Sequence, residues 1–340
     1  MDREELEQGL AGFVQRNTGA LSVRIENAVR LSGGASRETW SWDAHLEYPG
    51  RVDPIEGILR ADPVKGQPTS PGRELEYWLI KAAWDAGCSV PEPLWDGDDT
   101  FGVKFMTMRR VPGETLGARL VRGDQYAHAR EVLPGQLARS VARVHSIDAS
   151  RYPPLAALPR PEPGKTPAEM AIDKAETYFR ALSRDPHPVF ELAFRWLRGH
   201  LPPPAEPVLV HGDFRLGNVI FGDDGLRAVI DWELAHFGDP LEDLGWVMVR
   251  SWRFGGARPV AGVGDREPFI EAYEDEAGVT VDRERVRFWE IYGNLWWGVI
   301  TIQQANAYLS GVNKSVELAA IGRRTAETEV ELLNLLEGEY

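Results

Sequence analysis

The stretch that decides the fold reads VLVHGDFRLGNVIF over 208–221, followed by GDDG at 222–225 and LRAVIDWE at 226–233. It reads as an apolar strand, a polar loop, a hairpin, and an acid at the end of another strand. Asp213 lies in the loop. Asn218, five residues on, can turn its side-chain oxygen toward a cation, and Asp231 offers a hard anionic oxygen from the neighbouring strand, the donor type that magnesium prefers. That is half a metal site, of the kind completed by phosphate oxygens and water. Phosphoryl transfer asks for little covalent help from a protein, only a base near the attacking hydroxyl and cations against the phosphate charge. Asp213 suits the base. The plainer alternative makes HGD a bend beside a strand, Asn218 its cap and Asp231 the start of another turn.

Outward from this segment, the chain divides by pattern. Residues 4–16 (EELEQGLAGFVQR) set Leu6, Leu10, Phe13 and Val14 on one helical face, which predicts a short amphipathic helix. Alternating apolar residues over 22–31 and 38–45 flank Gly33-Gly34 and predict a hairpin, with further strands at 57–61 and 103–108. Between the last two, 73–87 (RELEYWLIKAAWDAG) has helical composition and stops on Gly87. The chain to about Val111 therefore reads as a small, mostly antiparallel sheet with one helix. Beyond Pro112-Gly113 the composition turns helical, with 136–147 spacing Leu137, Val141 and Val144 on one face. Helices near 167–183 and 188–199 follow a proline-rich loop (Pro153, Pro154, Pro159, Pro161, Pro163). Short strands are expected at 208–210, 219–221 and 228–230, and 240–336 reads as mainly helical. The fold class is α+β.

Composition bounds the function from the other side. A chain of 340 residues buries a substantial core without disulfides, and 43% hydrophobic with 26% charged residues is ordinary for a globular protein. No apolar run approaches the length that spans a bilayer. The opening MDREELEQGLAGF lacks the basic start and apolar centre of a secretory signal, so a cytoplasmic location is expected. Cys88, the only cysteine, reads as a structural thiol. A net charge of −14 argues against nucleic acid and against an anionic membrane surface as partners, since both demand a basic patch. The same charge suits a cationic substrate, and it equally serves solubility.

Taken in order, these pieces resemble the aminoglycoside phosphotransferase-like kinases, relatives of the choline and protein kinases. HGDFRLGN (211–218) resembles their catalytic loop, IDWE (230–233) the metal-binding motif that stands where protein kinases carry DFG, and GDPLEDLGW (238–246) the segment that follows. The likeness covers roughly 31–246. In LSGGASRETW (31–40) and IDWE it is nearest to the branch found beside, or fused to, acyl-CoA dehydrogenases. It implies a two-lobed, protein-kinase-like fold with a nucleotide-binding N-terminal lobe (1–111) and a larger helical lobe (112–340) for catalysis and substrate. It implies ATP and Mg2+ as cofactors. By the same resemblance Asp213 is the catalytic base, Asn218 and Asp231 hold magnesium, His211 buttresses the loop, and Asp243 braces it from the following helix.

The resemblance reaches the nucleotide end as well. LSGGASRETW occupies the place of the nucleotide-covering loop, where Ser32, Gly33, Gly34, Ala35 and Ser36 would let backbone N–H groups approach phosphate oxygens. A lysine is expected on the third strand to grip the phosphates. GILRAD (57–62) puts Arg60 there instead, which keeps the charge and replaces a point contact with a planar fork. Its partner is Glu76 or Glu74, and the count back from the helix end favours Glu76. FMTMRRVPGETL (105–116) resembles the hinge between lobes, with Met108 behind the adenine and the backbone of Arg109 to Val111 at its edge.

Acceptor choice lies where the likeness thins, in the proline-rich stretch, SWRFGG (251–256) and FWEIYGNLWWGV (288–299). Trp289, Trp296 and Trp297 offer a stacking wall for a ring or a cation, and they equally suit helix packing. The acidic balance favours an amino sugar or other cationic acceptor. The acyl-CoA dehydrogenase-associated branch suggests a hydroxyacyl thioester of coenzyme A, whose phosphates need cations; RRVPGETLGARLVR (109–122) carries four arginines. Either acceptor makes the chain a small-molecule kinase. A nucleotide-binding pseudokinase is the main alternative, with Arg60 as its sign, and the retained Asp213, Asn218 and Asp231 stand against it. A metal-dependent phosphatase or nuclease would gather more carboxylates and histidines around two metals.

Overall fold

The computed structural model describes residues 2–31, 38–62 and 72–338. Among these the chain forms two compact units, the first comprising 1–113, 147–158 and 227–234, and the second 114–146, 159–226 and 235–340.

The first unit is built on an antiparallel sheet of order β1-β2-β3-β5-β4. Helix α1 (Arg3–Thr18) opens it, started by an Asp2/Glu5 capping box and stopped by Gly19 in the left-handed region at φ 68. Leu6, Leu10, Phe13 and Val14 all face inward as their spacing requires, packing with Trp42, Leu46, Leu59 and Phe105 in one core. Strands β1 (Ser22–Arg30), β2 (Glu38–Tyr48) and β3 (Arg51–Ala61) run longer than their apolar alternation suggests, joined at the second turn through Gly50 at φ 77. A bulge in β1 between Glu26 and Val29 seats Asn27 at φ 52, a conformation asparagine tolerates. Helix α2 (Arg73–Asp85) follows, then β4 (Pro93–Asp96) and β5 (Phe105–Arg109). The sequence reading missed β4, whose proline start and four-residue length give alternation too little room. Gly57 of β3 is required by close approach, because a Cβ there would sit 2.1 Å from the ring of the buried Trp42.

The second unit is mainly helical: α3 (Gly117–Arg122), α4 (Ala127–His145), α5 (Pro167–Leu182) and α6 (Pro188–Gly199) precede the short strands. Helix α4 begins nine residues before the expected 136, with Pro134 inside it. The proline cannot donate a helical hydrogen bond, so α4 runs through it with that one bond missing. Strands β6 (Val208–Val210), β7 (Val219–Gly222) and β9 (His236–Gly238) come next, β8 (Gly225–Val229) leading into the 227–234 segment of the first unit, and β6 pairs antiparallel with β9, which sequence had not suggested. The chain ends in α7 (Leu241–Met248), α8 (Arg266–Ala277), α9 (Arg283–Leu309), α10 (Val316–Gly322) and α11 (Thr325–Glu337). Helix α9, about 40 Å long at 1.5 Å per residue, packs against α5, α6, α7, α10 and α11. It crosses α7 at glycines: a Cβ on Gly245 would lie 2.4 Å from the Trp289 carbonyl carbon, and one on Gly293 would lie 2.8 Å from Val249. Among the described residues no helix is long and apolar enough to cross a membrane.

Candidate active site

In the second unit, β6 delivers His211, Gly212 and Asp213 into a loop that α7 holds by its main chain. Asp243, fully buried on the first turns of α7, accepts the N–H of His211 at Oδ2 (2.8 Å) and of Gly212 at Oδ1 (2.9 Å). Gly212 makes the turn at φ 77. His145, at the end of α4, meets Asp243 Oδ2 through Nε2 at 3.1 Å, while its Nδ1 lies 2.9 Å from the Tyr273 hydroxyl of α8. Burial and the Asp243 charge raise the Tyr273 pKa, so the phenol stays protonated and donates to Nδ1, leaving Nε2–H to donate to Asp243. Burial alone would push Asp243 up. The hydrogen bond from His145, the electrostatic attraction of the His145 and His211 rings and the His211 N–H outweigh it and hold the carboxyl below its usual range. His211 is fully buried and its Nδ1 accepts the Asp213 N–H at 3.2 Å, so the ring is spent on loop geometry.

The Asp213 carboxylate is held from three sides. Oδ1 accepts Arg215 Nε (2.9 Å) and Trp246 Nε1 (2.7 Å), and Oδ2 accepts Asn218 Nδ2 (2.6 Å). Asn218 Nδ2 also reaches the Asp213 carbonyl at 3.0 Å. Both bonds use the amide nitrogen, so the amide oxygen is the atom Asn218 has to offer a cation. Gly217 makes room for the loop's arginine: a Cβ there would sit 2.0 Å from Arg215 Nη1. The Arg215 guanidinium lies 4.5 Å over the Trp252 ring, and Trp252 joins Trp246 (5.4 Å between centroids) and Trp297 (4.5 Å) in an aromatic cluster. Trp296 borders it, covered by Lys174 at 5.2 Å and edged by Tyr178. Trp289 does not take part in this cluster. It is 1% exposed and packs with Phe288 and Tyr292 under Gly245, so as a member of an acceptor wall it is corrected to core.

In the first unit, Arg60 of β3 forms ion pairs with Glu76 of α2 and, at 3.1 Å, with Asp231 Oδ1. Of the two glutamates considered, Glu76 is buried against Arg60, whereas Glu74 is exposed and faces Lys104 at 3.9 Å. Glu76 is shared with Arg73, a fully buried arginine that also reaches Asp62 at 3.4 Å. Arg60 is therefore no surface charge. The fork serves here as lysine could not, one nitrogen on Glu76 and another on Asp231. Asp231 follows β8 at φ 68, a left-handed conformation uncommon outside glycine and asparagine. Met108 is buried in β5, and the N–H groups of Arg109 and Arg110 are spent on the carbonyls of Glu92 and Glu56. Val111 is half-buried beyond them. Ser32, Gly33, Gly34, Ala35 and Ser36 lie outside the described residues.

The structure thus gathers Asp213, Asn218, His211 and Asp243 in one unit, and Arg60, Glu76 and Asp231 in the other. The sequence reading passed over Arg215, Trp246 and Trp252 around Asp213, and His145, Tyr273 and Arg73 behind the two clusters. Arg215 and Trp246 stand inside the quoted motifs and were the reachable ones. His145 lies 98 residues from Asp243, beyond any local pattern. Asn218 offers an amide oxygen and Asp231 a carboxylate, each of the hard oxygen type that magnesium takes.

The model of the phosphotransferase enzyme family matches residues 58–289. Acyl-CoA dehydrogenase family member 11 of Gallus gallus is 34% identical over 249 residues, covering 70% of this chain and 29% of that protein. Family member 10 of Mus musculus is 31% identical over 53% of this chain and 17% of its own length. The chain thus spans less than a third of these relatives. Among solved structures, a protein of Ralstonia eutropha JMP134 provisionally designated an aminoglycoside phosphotransferase has a TM-score of 0.75 at 20% identity, covering 96% of each chain. A choline/ethanolamine kinase family protein of Mesorhizobium loti has a TM-score of 0.62 at 18% identity, covering 99% of this chain and 94% of its own. The GDP complex of aminoglycoside 2'-phosphotransferase-IIIa reaches 0.64 at 16% identity, over 96% and 99%. These likenesses establish a kinase-like fold.

Proposed function

Because the chain belongs to the phosphotransferase enzyme family, we propose that it is an ATP- and magnesium-dependent kinase that moves the γ-phosphoryl group to a hydroxyl of a small molecule. The observation that supports this most is the Asp213 carboxylate, fixed by Arg215, Trp246 and Asn218 in a loop braced by Asp243. Asp213 takes the proton of the acceptor hydroxyl as its oxygen attacks phosphorus; the bond from phosphorus to the leaving oxygen breaks, and ADP departs with that electron pair. Asn218 and Asp231 would hold magnesium, which when bound neutralises phosphate charge. Arg60, kept in place by Glu76, would turn the nitrogen now on Asp231 to the phosphates, in the place of the expected lysine. Met108, Val111 and the 32–36 loop take the nucleotide.

Phosphate transfer from magnesium-ATP, tested across a library of hydroxyl compounds, decides the reading. Asp213→Asn is expected to lose transfer by at least a hundredfold, as loss of a general base commonly costs, while still binding nucleotide. Equal transfer by this variant and the wild type would remove Asp213 from the role. A wild type that binds magnesium-ATP and phosphorylates nothing would favour the pseudokinase sensor.

For the acceptor, two readings remain tied to observations. The curated relatives are named as acyl-CoA dehydrogenases, which favours a hydroxyacyl thioester of coenzyme A. The aromatic faces point the same way, since Arg215 and Lys174 already cover Trp252 and Trp296, where a cationic amino sugar would stack. Against the thioester, three of the four arginines of 109–122 are paired with carboxylates: Arg109 with Glu92, Arg110 with Asp43, and Arg119 with Glu114. A cavity of about 640 Å³ beside Trp252 in sequence balances Arg250, Arg253 and Arg266 against Asp265, Glu267 and Glu331, so it offers no phosphate site. Turnover with hydroxyacyl thioesters and amino sugars side by side separates the two.

A further inference from the structure

Helix α7 holds the Asp213 loop twice. Asp243 takes the main chain at His211 and Gly212, and Trp246, three residues on and therefore on the same helical face, takes the side chain at Asp213 Oδ1. The two oxygens of that carboxylate are not equivalent. Oδ1 carries both Arg215 Nε and Trp246 Nε1, which together fill its two in-plane lone pairs, whereas Oδ2 carries Asn218 Nδ2 and keeps one lone pair. We propose that Trp246 is a positioning residue for the base: its indole N–H fixes the rotation of the Asp213 carboxylate so that Oδ2 is the oxygen that receives the acceptor's proton.

This rests on Asp213 being the base. It is Trp246, rather than Arg215, that sets the angle, because the indole is 7% exposed and fixed by packing. Trp252 lies 5.4 Å from it, and a Cβ placed on Gly293 would come within 3.3 Å of its ring. Arg215 is half-buried, on a long flexible stem, and its charge suits a mobile contact with phosphate. An indole offers one donor and no acceptor, so it can hold Oδ1 without competing for the proton that Oδ2 must take.

The test uses the full chain with magnesium-ATP, water serving as phosphoryl acceptor. Trp246→Phe keeps a ring in the packed site and deletes the N–H. Removing a hydrogen bond to a charged group is expected to lower kcat for phosphate release roughly 10- to 100-fold, with KM for ATP and the melting temperature close to wild type. An unchanged kcat, or a loss that follows the melting temperature down, would show Trp246 to be core alone and overturn the proposal. A second readout is independent of turnover: the indole 1H–15N resonance of Trp246, identified as the peak missing from Trp246→Phe, lies downfield in the wild type. It shifts upfield in Asp213→Ala. A resonance that does not move overturns the contact itself, even where phosphate release succeeds. A wild type with no ATP turnover, with or without hydroxyl acceptors, removes the base and this role together, and the unmoved or moved resonance tells that failure from the first.

Discussion

The fully buried carboxylate of Asp243 gathers the N–H groups of His211 and Gly212 and the imidazole of His145. Its ionised form is favoured by folding, so its folded pKa lies below the ordinary 3.8. The stability it supplies is present above that value and is lost as pH falls through the lower folded pKa. Urea unfolding of wild type and Asp243→Asn should therefore show a gap in stability that is widest above 3.8 and narrows below it. Carboxylates common to both variants cancel in that comparison, so a gap independent of pH would contradict the assignment. Residue by residue, the motif was legible where the chemistry is local. Asp213 and Asn218 lie five apart, and Arg60 was readable as a cation at a set place on a strand. Trp246 was quoted within GDPLEDLGW and still overlooked, because nothing in a sequence shows which way an indole N–H points. Arg73 was unreadable for another reason: charged residues are almost never fully buried unless paired, and its partners come from two different elements.

Elements were legible in proportion to their length and regularity. Helix α1 followed its apolar spacing, and α5 and α6 fell within a residue of their expected bounds. The strands β4 and β9, of four and three residues, are held by their partners across the sheet rather than by any period of their own. The crossing of α7 and α9 belongs to this scale. Gly245 and Gly293 admit a close approach, and the two atoms nearest Gly245 are backbone, which cannot swing aside. Gly245→Ala should push the helices apart at a cost of about 1–3 kcal/mol or more, read as a lower melting temperature. Phosphate release should fall with it, since α7 carries both Asp243 and Trp246. Leu309→Ala, at a position 72% exposed near the end of α9, should leave both unchanged. An unaltered melting temperature for Gly245→Ala would refute the close crossing.

For the whole molecule, the α+β reading and the kinase-like resemblance survive together with the family match. Sequence could not show that 147–158 and 227–234 belong with the N-terminal unit. Those segments attach through long-range bonds between residues far apart in the chain, among them the Tyr152 hydroxyl to Asp85, the Val229 N–H to the Ser89 carbonyl, and Arg60 to Asp231. One consequence of the second of these segments reaches beyond structure. Asp231 sits at φ 68, where a side chain is strained and glycine is not. Asp231→Gly relieves that strain and loses the ion pair with Arg60, so it should melt within a few degrees of the wild type, and it should release no phosphate from magnesium-ATP if the residue holds magnesium. In a pooled library, a sort for abundance would then keep that variant and a sort for turnover would discard it. The disagreement between the two sorts would mark the position as functional without any knowledge of the acceptor.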